Sequence, residues 1–252
     1  MNKYLDVVTT RAMGDLKSTN RESRLGALWW VLDPLLYLLV FYFVFGVFLN
    51  RGGDGFVAYL LIGLVFWRWF ESSLHQTSSI IFTYKMILDQ VYIPKLYLPF
   101  IPVISNFVKS SMIVAMLLAY LFIFEGAVLS QIVWFPVLMI TQLMLILAVG
   151  SFLAALLPFY PDGKNLIGYG VNLMFFMSAI FYRIDDMPED IRYIFLINPL
   201  AYLIDAYRGV LMEGQAPALV NLVMIILASV FVYVISLFML NKYDKHYPKI
   251  LN

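Results

Sequence analysis

Three ionisable side chains, Arg68, Glu71 and His75, recur at spacings of three and four residues inside an otherwise apolar stretch. On a helix that spacing puts them on one face, where a cation, a carboxylate and an imidazole can transfer protons, pair, or line a hydrated path. Ionisable groups set among apolar residues are costly unless paired or wetted, so this face is expected to look inward. Two readings stay open: a polar strip along a conduit, or an Arg68–Glu71 pair that holds helices together, with His75 unassigned.

Catalysis needs titratable groups that converge at one depth, and such a cluster is missing. The chain has two histidines, of which His246 lies in the C-terminal tail, and no cysteine. Without cysteine there is no thiolate nucleophile, thiolate metal site or disulfide framework. No catalytic residue and no metal site are therefore expected. Gly163-Lys164 is followed by Asn165 and has no glycine five residues before it, so it is not a phosphate loop. The chain is expected to carry no cofactor of its own, so any ATP, with its Mg, must be bound and hydrolysed by a partner. A net charge of +1 argues against a nucleic-acid partner.

The elements that position these residues follow from composition. With 62% hydrophobic and 13% charged residues and a mean hydropathy of +0.84, the chain has too little polar surface for a water-soluble globule of 252 residues. In lipid the backbone must pair within a segment or a closed barrel, and the apolar runs are long rather than alternating with period two. The expected fold is thus an all-α membrane protein, one domain over residues 1–252. A span takes about 20 residues, which gives six transmembrane helices near 28–49, 56–80, 98–124, 131–157, 166–182 and 217–240. The charged first 33 residues have no apolar core before Trp29, so no cleavable leader is expected.

Between 183 and 216 two apolar pieces, Ile191 to Ile197 and Leu200 to Leu211, are broken by Asn198-Pro199 and Gly214 and are too short to cross. They are expected as re-entrant helices bordering a pathway or as helices lying on the surface. Leu5, Val8, Ala12 and Leu16 form a thin apolar stripe within residues 1–24, read as an amphipathic interface helix or a solvated tail. Lys109 can snorkel to the nearer membrane face, and Gly150, Ser151, Ala154 and Ala155 allow close helix approach.

Orientation rests on the cations. Lys3, Arg11, Lys17, Arg21, Arg24, Lys85, Lys95, Lys164, Lys242, Lys245 and Lys249 fall on one side, Arg51, Arg183, Arg192 and Arg208 on the other. This asymmetry predicts a multi-pass protein with both termini cytoplasmic.

Four segments carry a resemblance. They are Ser23-Arg24-Leu25-Gly26-Ala27-Leu28-Trp29-Trp30 running to Asp33-Pro34-Leu35, the Lys85 to Pro99 segment with Pro94 and Leu98-Pro99, the stretch from Phe175-Phe176 to Tyr182, and Asn198-Pro199 followed by Arg208 and Gly214. In this order they resemble type-2 ABC exporter permeases of the polysaccharide class, which export O-antigen, capsule or teichoic acid. Two positions depart from that pattern: Asp162 after Pro161, where a basic residue is common, and Ala179, where proline is common.

The resemblance implies a homodimer bound to two ABC ATPase subunits in a bacterial inner membrane, moving a lipid-linked glycan through the dimer channel. It also implies an N-terminal helix at the membrane surface and a loop after the second span that docks on the ATPase. In that loop Lys85 and Asp89 pair at i, i+4, and Ile87 and Leu88 complete the expected coupling residues. Aromatic rings offer sugars a stacking surface. Tyr37, Tyr42, Trp67, Phe70, Phe175 and Phe176, with Arg68, Glu71 and His75, are the expected channel residues. The competing reading is an exporter of a drug or small lipid; a membrane enzyme of lipid or glycan assembly is more distant.

Overall fold

Long apolar runs that cannot leave backbone groups unpaired should fold as helices, and all regular elements among the described residues are helical. The computed structural model describes residues 6, 8–15, 26, 28–48, 53, 55–126, 130–183, 197–247 and 250. Helix α1 covers residues 8–15. Helix α2, Leu28–Phe41, continues through a π-helical stretch, Tyr42–Phe48. Helix α3 is Phe56–Ser78, followed by the short helices α4, Ile80–Thr83, and α5, Lys85–Leu88. A 3-10 turn, Lys95–Tyr97, leads into α6, Phe100–Tyr120. Then come α7, Trp134–Leu156, and α8, Gly163–Met177. Helix α9 is Pro199–Arg208 with a π extension, Gly209–Glu213, and α10 is Leu219–Lys242.

Four helical stretches are long and apolar enough to cross a membrane: Phe56–Ser78, Lys95–Glu125, Trp134–Phe159 and Leu219–Lys242. They match the second, third, fourth and sixth expected spans. The first expected span is the α2 stretch. The fifth differs: α8 ends at Met177, and its 15 residues extend only about 22 Å at 1.5 Å per residue. The expected boundary at 182 fails because Ala179 adopts a left-handed backbone (φ 54°), which turns the chain before Tyr182.

Helix α3 is the hub, packed against α2, α6, α7 and α9. Within its apolar window 72% is buried, against 22% for α6 and α10, whose outer sides carry exposed apolar residues such as Met112, Met116, Leu227 and Phe231. Such faces suit lipid contact. Close approach is secured by small residues, as expected at Gly150: a Cβ there would stand 2.7 Å from Thr77 Cγ2.

The bundle has two distinct ends. At one, Val8 and Ala12 of α1 join Ile80, Ile81, Tyr84, Leu88, Leu98, Ala154, Ala155, Leu240 and Tyr247 in a second apolar cluster. The stripe expected at the N-terminus is thus half visible, since Leu5 and Leu16 lie outside the described residues. At the other end α9 inserts into the bundle with Leu200, Ala201, Leu203, Ile204 and Tyr207 buried. It packs on α3 and α7 rather than lying apart on the surface. The expected Ile191 to Ile197 piece falls, apart from Ile197, outside the described residues, as do Arg51 and Arg192.

Candidate functional site

Asn198 and Pro199 start α9 as their types require. Proline fills the first helical position, where no amide partner is needed. The Asn198 Oδ1 accepts the Leu200 amide at 3.0 Å, and its Nδ2 donates to the Met177 carbonyl and the Ser178 hydroxyl, both at 3.1 Å. One residue therefore caps α9 and ties down the end of α8.

Arg208, at the far end of α9, completes the tie. It is 2% exposed, so this cation, counted by sequence only toward one membrane side, is buried inside the bundle. Its guanidinium donates to the Tyr59 carbonyl from Nε and Nη2 (3.2 and 3.1 Å), to Ala179 O from Nη1 (2.7 Å) and to Ile180 O from Nη2 (2.9 Å). Its Cζ also lies 3.4 Å from the centroid of the Tyr59 ring. Gly63 leaves room for it, since a Cβ there would stand 2.6 Å from Arg208 Nη2. Planar, always charged and rich in donors, arginine suits a junction of carbonyls. Beside it a polar cavity of about 450 Å³ is lined by Tyr59, Arg183, Tyr202, Asp205, Glu213 and Gln215 among others. Across it Arg183 and Glu213 pair at 3.5 Å, an exposed contact of small energetic weight.

Farther along α3, the expected channel residues largely gather. Arg68 Nη1 donates to Glu71 Oε2 at 2.8 Å, and the Arg68 Cζ lies 4.8 Å from the Tyr37 ring centroid. Trp67 meets Phe70 at 5.9 Å and Phe175 at 5.4 Å, and Phe175 meets Phe176 at 5.3 Å. Phe41 and Phe181, which sequence reasoning passed over, close the cluster: their rings are 4.4 Å apart and each contacts Phe175. Trp67 and Phe70 are 1% and 2% exposed within the chain, whereas Tyr37, Tyr42 and Phe176 face outward. Tyr42 touches Phe43 rather than the cluster, and His75, exposed, lies one helical turn beyond Glu71. The face formed by α2, α3 and α8 thus combines an ion pair with outward aromatic rings, chemistry that wets a surface and stacks on flat apolar ligand faces.

At the other end the expected coupling residues Lys85, Ile87 and Leu88 lie in the short helix α5, with Asp89 just past its end. Leu88 turns into the apolar cluster at 7% exposure, Ile87 is half-buried, and Met86 is 78% exposed. Lys85 and Asp89 are joined along the backbone, Asp89 N–H donating to Lys85 O at 3.0 Å. Asp15 of α1 lies near enough to Lys109 and Arg11 to feel both charges, yet burial outweighs them and pushes its carboxyl above the ordinary carboxylate range. Burial likewise raises the Tyr84 hydroxyl, with Asp15 adding to the effect.

The contact that sequence reasoning missed here joins the loop after α5 to the C-terminal tail. Asp244 Oδ2 accepts the Tyr92 hydroxyl at 2.6 Å, and its Oδ1 accepts the Lys95 amide at 2.9 Å. The Lys95 ammonium stands 3.7 Å from the same oxygen and 5.0 Å from the Tyr92 ring centroid. Asp244 is the one acid in the segment after Lys242, a signal that marks it without naming its partner.

Among the described residues no three His, Cys, Asp or Glu side chains are grouped to hold a metal. Comparison with known proteins places this geometry. Residues 8–212 match the family model described as ABC-2 type transporter. The chain is 28% identical over 211 residues to the O-antigen export system permease protein RfbA of Klebsiella pneumoniae, covering 83% of this chain and 80% of that one. It is 27% identical to the protein of the same name from Myxococcus xanthus, with 85% and 84% covered. It is also 22% identical to the polysialic acid transport protein KpsM of Escherichia coli, over 86% and 87% of the two chains.

Proposed function

The chain belongs to the ABC-2 type transporter family, and from that premise we propose that it is the transmembrane permease of an exporter that moves a lipid-linked polysaccharide outward, powered by ATP hydrolysed on separate subunits. One observation carries the substrate class: relatives whose names specify O-antigen export and polysialic acid transport match more than four fifths of this chain. A drug or small-lipid exporter has no such support. The chain's role is conduction, not covalent chemistry.

A glycan is too polar for lipid and its anchor too apolar for water, so the conduit must offer a wet surface beside an apolar one. The α2, α3 and α8 face has both, with Arg68–Glu71 and Tyr37 next to the exposed Leu166, Tyr169, Leu173 and Phe176 of α8. Among the described residues this face lies open on one chain. Two copies facing each other would cover these apolar faces and enclose a pathway, with Tyr37, Tyr42, Arg68, Glu71, His75 and Phe176 nearest the lumen, and Trp67, Phe70 and Phe175 packed behind them. In this reading the chain crosses the inner membrane six times, the turn after α8 completing the fifth crossing. Both termini lie in the cytoplasm, and Lys85 to Asp89 meet one of two ATPase subunits.

Deleting the chain from its host tests this. Lipid-linked glycan should accumulate on the cytoplasmic side while synthesis continues; normal glycan at the cell surface would overturn the reading.

A further inference from the structure

Three segments far apart in sequence meet at the end of the bundle that carries α1. They are the loop after α5, the end of α7 and the tail after α10. The tail is fastened to both of the others. Asp244 holds the loop through the Tyr92 hydroxyl and the Lys95 amide and ammonium, and both Asp244 and Lys95 are almost wholly buried, at 8% and 2% exposure. Three residues on, the buried Tyr247 donates its hydroxyl to the Ala155 carbonyl at 3.1 Å, and Phe159 packs edge-on against Tyr243 and Tyr247. A carboxylate that accepts short hydrogen bonds from two donors and faces an ammonium is held far more firmly than an exposed ion pair.

The placement matters because of what leads away from it. Helix α10 packs most extensively on α7, and it runs from this end to Leu219 at the opposite one, about 36 Å at 1.5 Å per residue. The chain itself joins the loop to α3 and α6, and apolar packing against α10 can slide, whereas the Asp244 contacts are directional. With them, a displacement of the loop is a displacement of α10.

We propose that Asp244 is a positioning residue that couples the ATPase-facing loop to α10, so that force arriving at residues 85–95 is delivered to the α7–α10 pair. This rests on the proposed function, in which that loop meets the ATPase. The contact is closed throughout the cycle: loop and tail move as one body.

The experiment uses the full chain with its ATPase. Asp244→Ala should copurify with the ATPase and leave ATP hydrolysis close to wild type, while glycan export falls about tenfold, within the range that coupling residues reach. Tyr92→Phe, which removes one hydroxyl, should give a smaller fall of the same kind. Because the chain has no cysteine, Lys95→Cys combined with Asp244→Cys can be joined selectively by a short methanethiosulfonate cross-linker. Export should be low before cross-linking, recover after it, and fall again on reduction. Unchanged export in Asp244→Ala, or export blocked by the cross-link, would overturn the proposal. Should Asp244→Ala fail to insert, Tyr92→Phe and the cross-linked pair decide by the same criteria. Failure of the parent reading looks different, since the wild-type chain would then neither bind an ATPase nor affect glycan export.

Discussion

At the scale of the residue, Arg208 does the most structural work, and it does so with backbone carbonyls rather than acids. Removing its donors leaves the carbonyls of Tyr59, Ala179 and Ile180 buried without them. At about 1–3 kcal/mol for each such group, Arg208→Met should lower stability by about 3 kcal/mol or more. Ala179 is the only described non-glycine residue with positive φ, a conformation that disfavours an L side chain by about 1–2 kcal/mol. Ala179→Gly should therefore raise stability by about 1 kcal/mol. Thermal unfolding of the purified chain in detergent checks both; a destabilised Ala179→Gly would show that the Ala179 methyl, not its backbone, matters at this position.

At the scale of the element, legibility tracked sequence distance. The Arg68–Glu71 pair and the Asn198-Pro199 start of α9 arise within one helical turn, and both were readable from residue type and spacing. The end of α8 was not, because it depends on Arg208, 29 residues beyond Ala179. Nor was the Asp244 clamp, whose members are 149 and 152 residues apart. Helix α5, proposed to meet the ATPase, was half legible: a short helix there was readable, its outward face was not. Met86 and Val91 point outward and Leu88 inward, so the two kinds of variant separate. Met86→Asp and Val91→Asp should leave the chain inserted and folded but weaken copurification with the ATPase. Leu88→Asp places a charge in the apolar cluster and should instead lower thermal stability by several kcal/mol, on the order of 3. Full copurification of the Met86 and Val91 variants would remove this face from the interface.

At the scale of the whole molecule, an end rich in Lys, holding α1, α5 and the tail, stands opposite an end built around Arg208. In the proposed reading the imbalance of cations orients the chain with the first end in the cytoplasm. Single cysteines placed at positions 54, 189 and 252 should react with a membrane-impermeant reagent in intact cells at 54 and 189 but not at 252. Reaction at 252 alone would invert the molecule. The two ends also differ in time. A ribosome delivers residues in order, and the Arg208 junction draws on α3 and on the turn after α8 but is closed by a guanidinium at position 208 of 252. Until that residue emerges, the Ala179 and Ile180 carbonyls lack its donors, and Asn198 links the end of α8 to α9. This junction is therefore closed late in synthesis, and a product truncated before Arg208 lacks the group that fastens α3 to the turn after α8 and to α9.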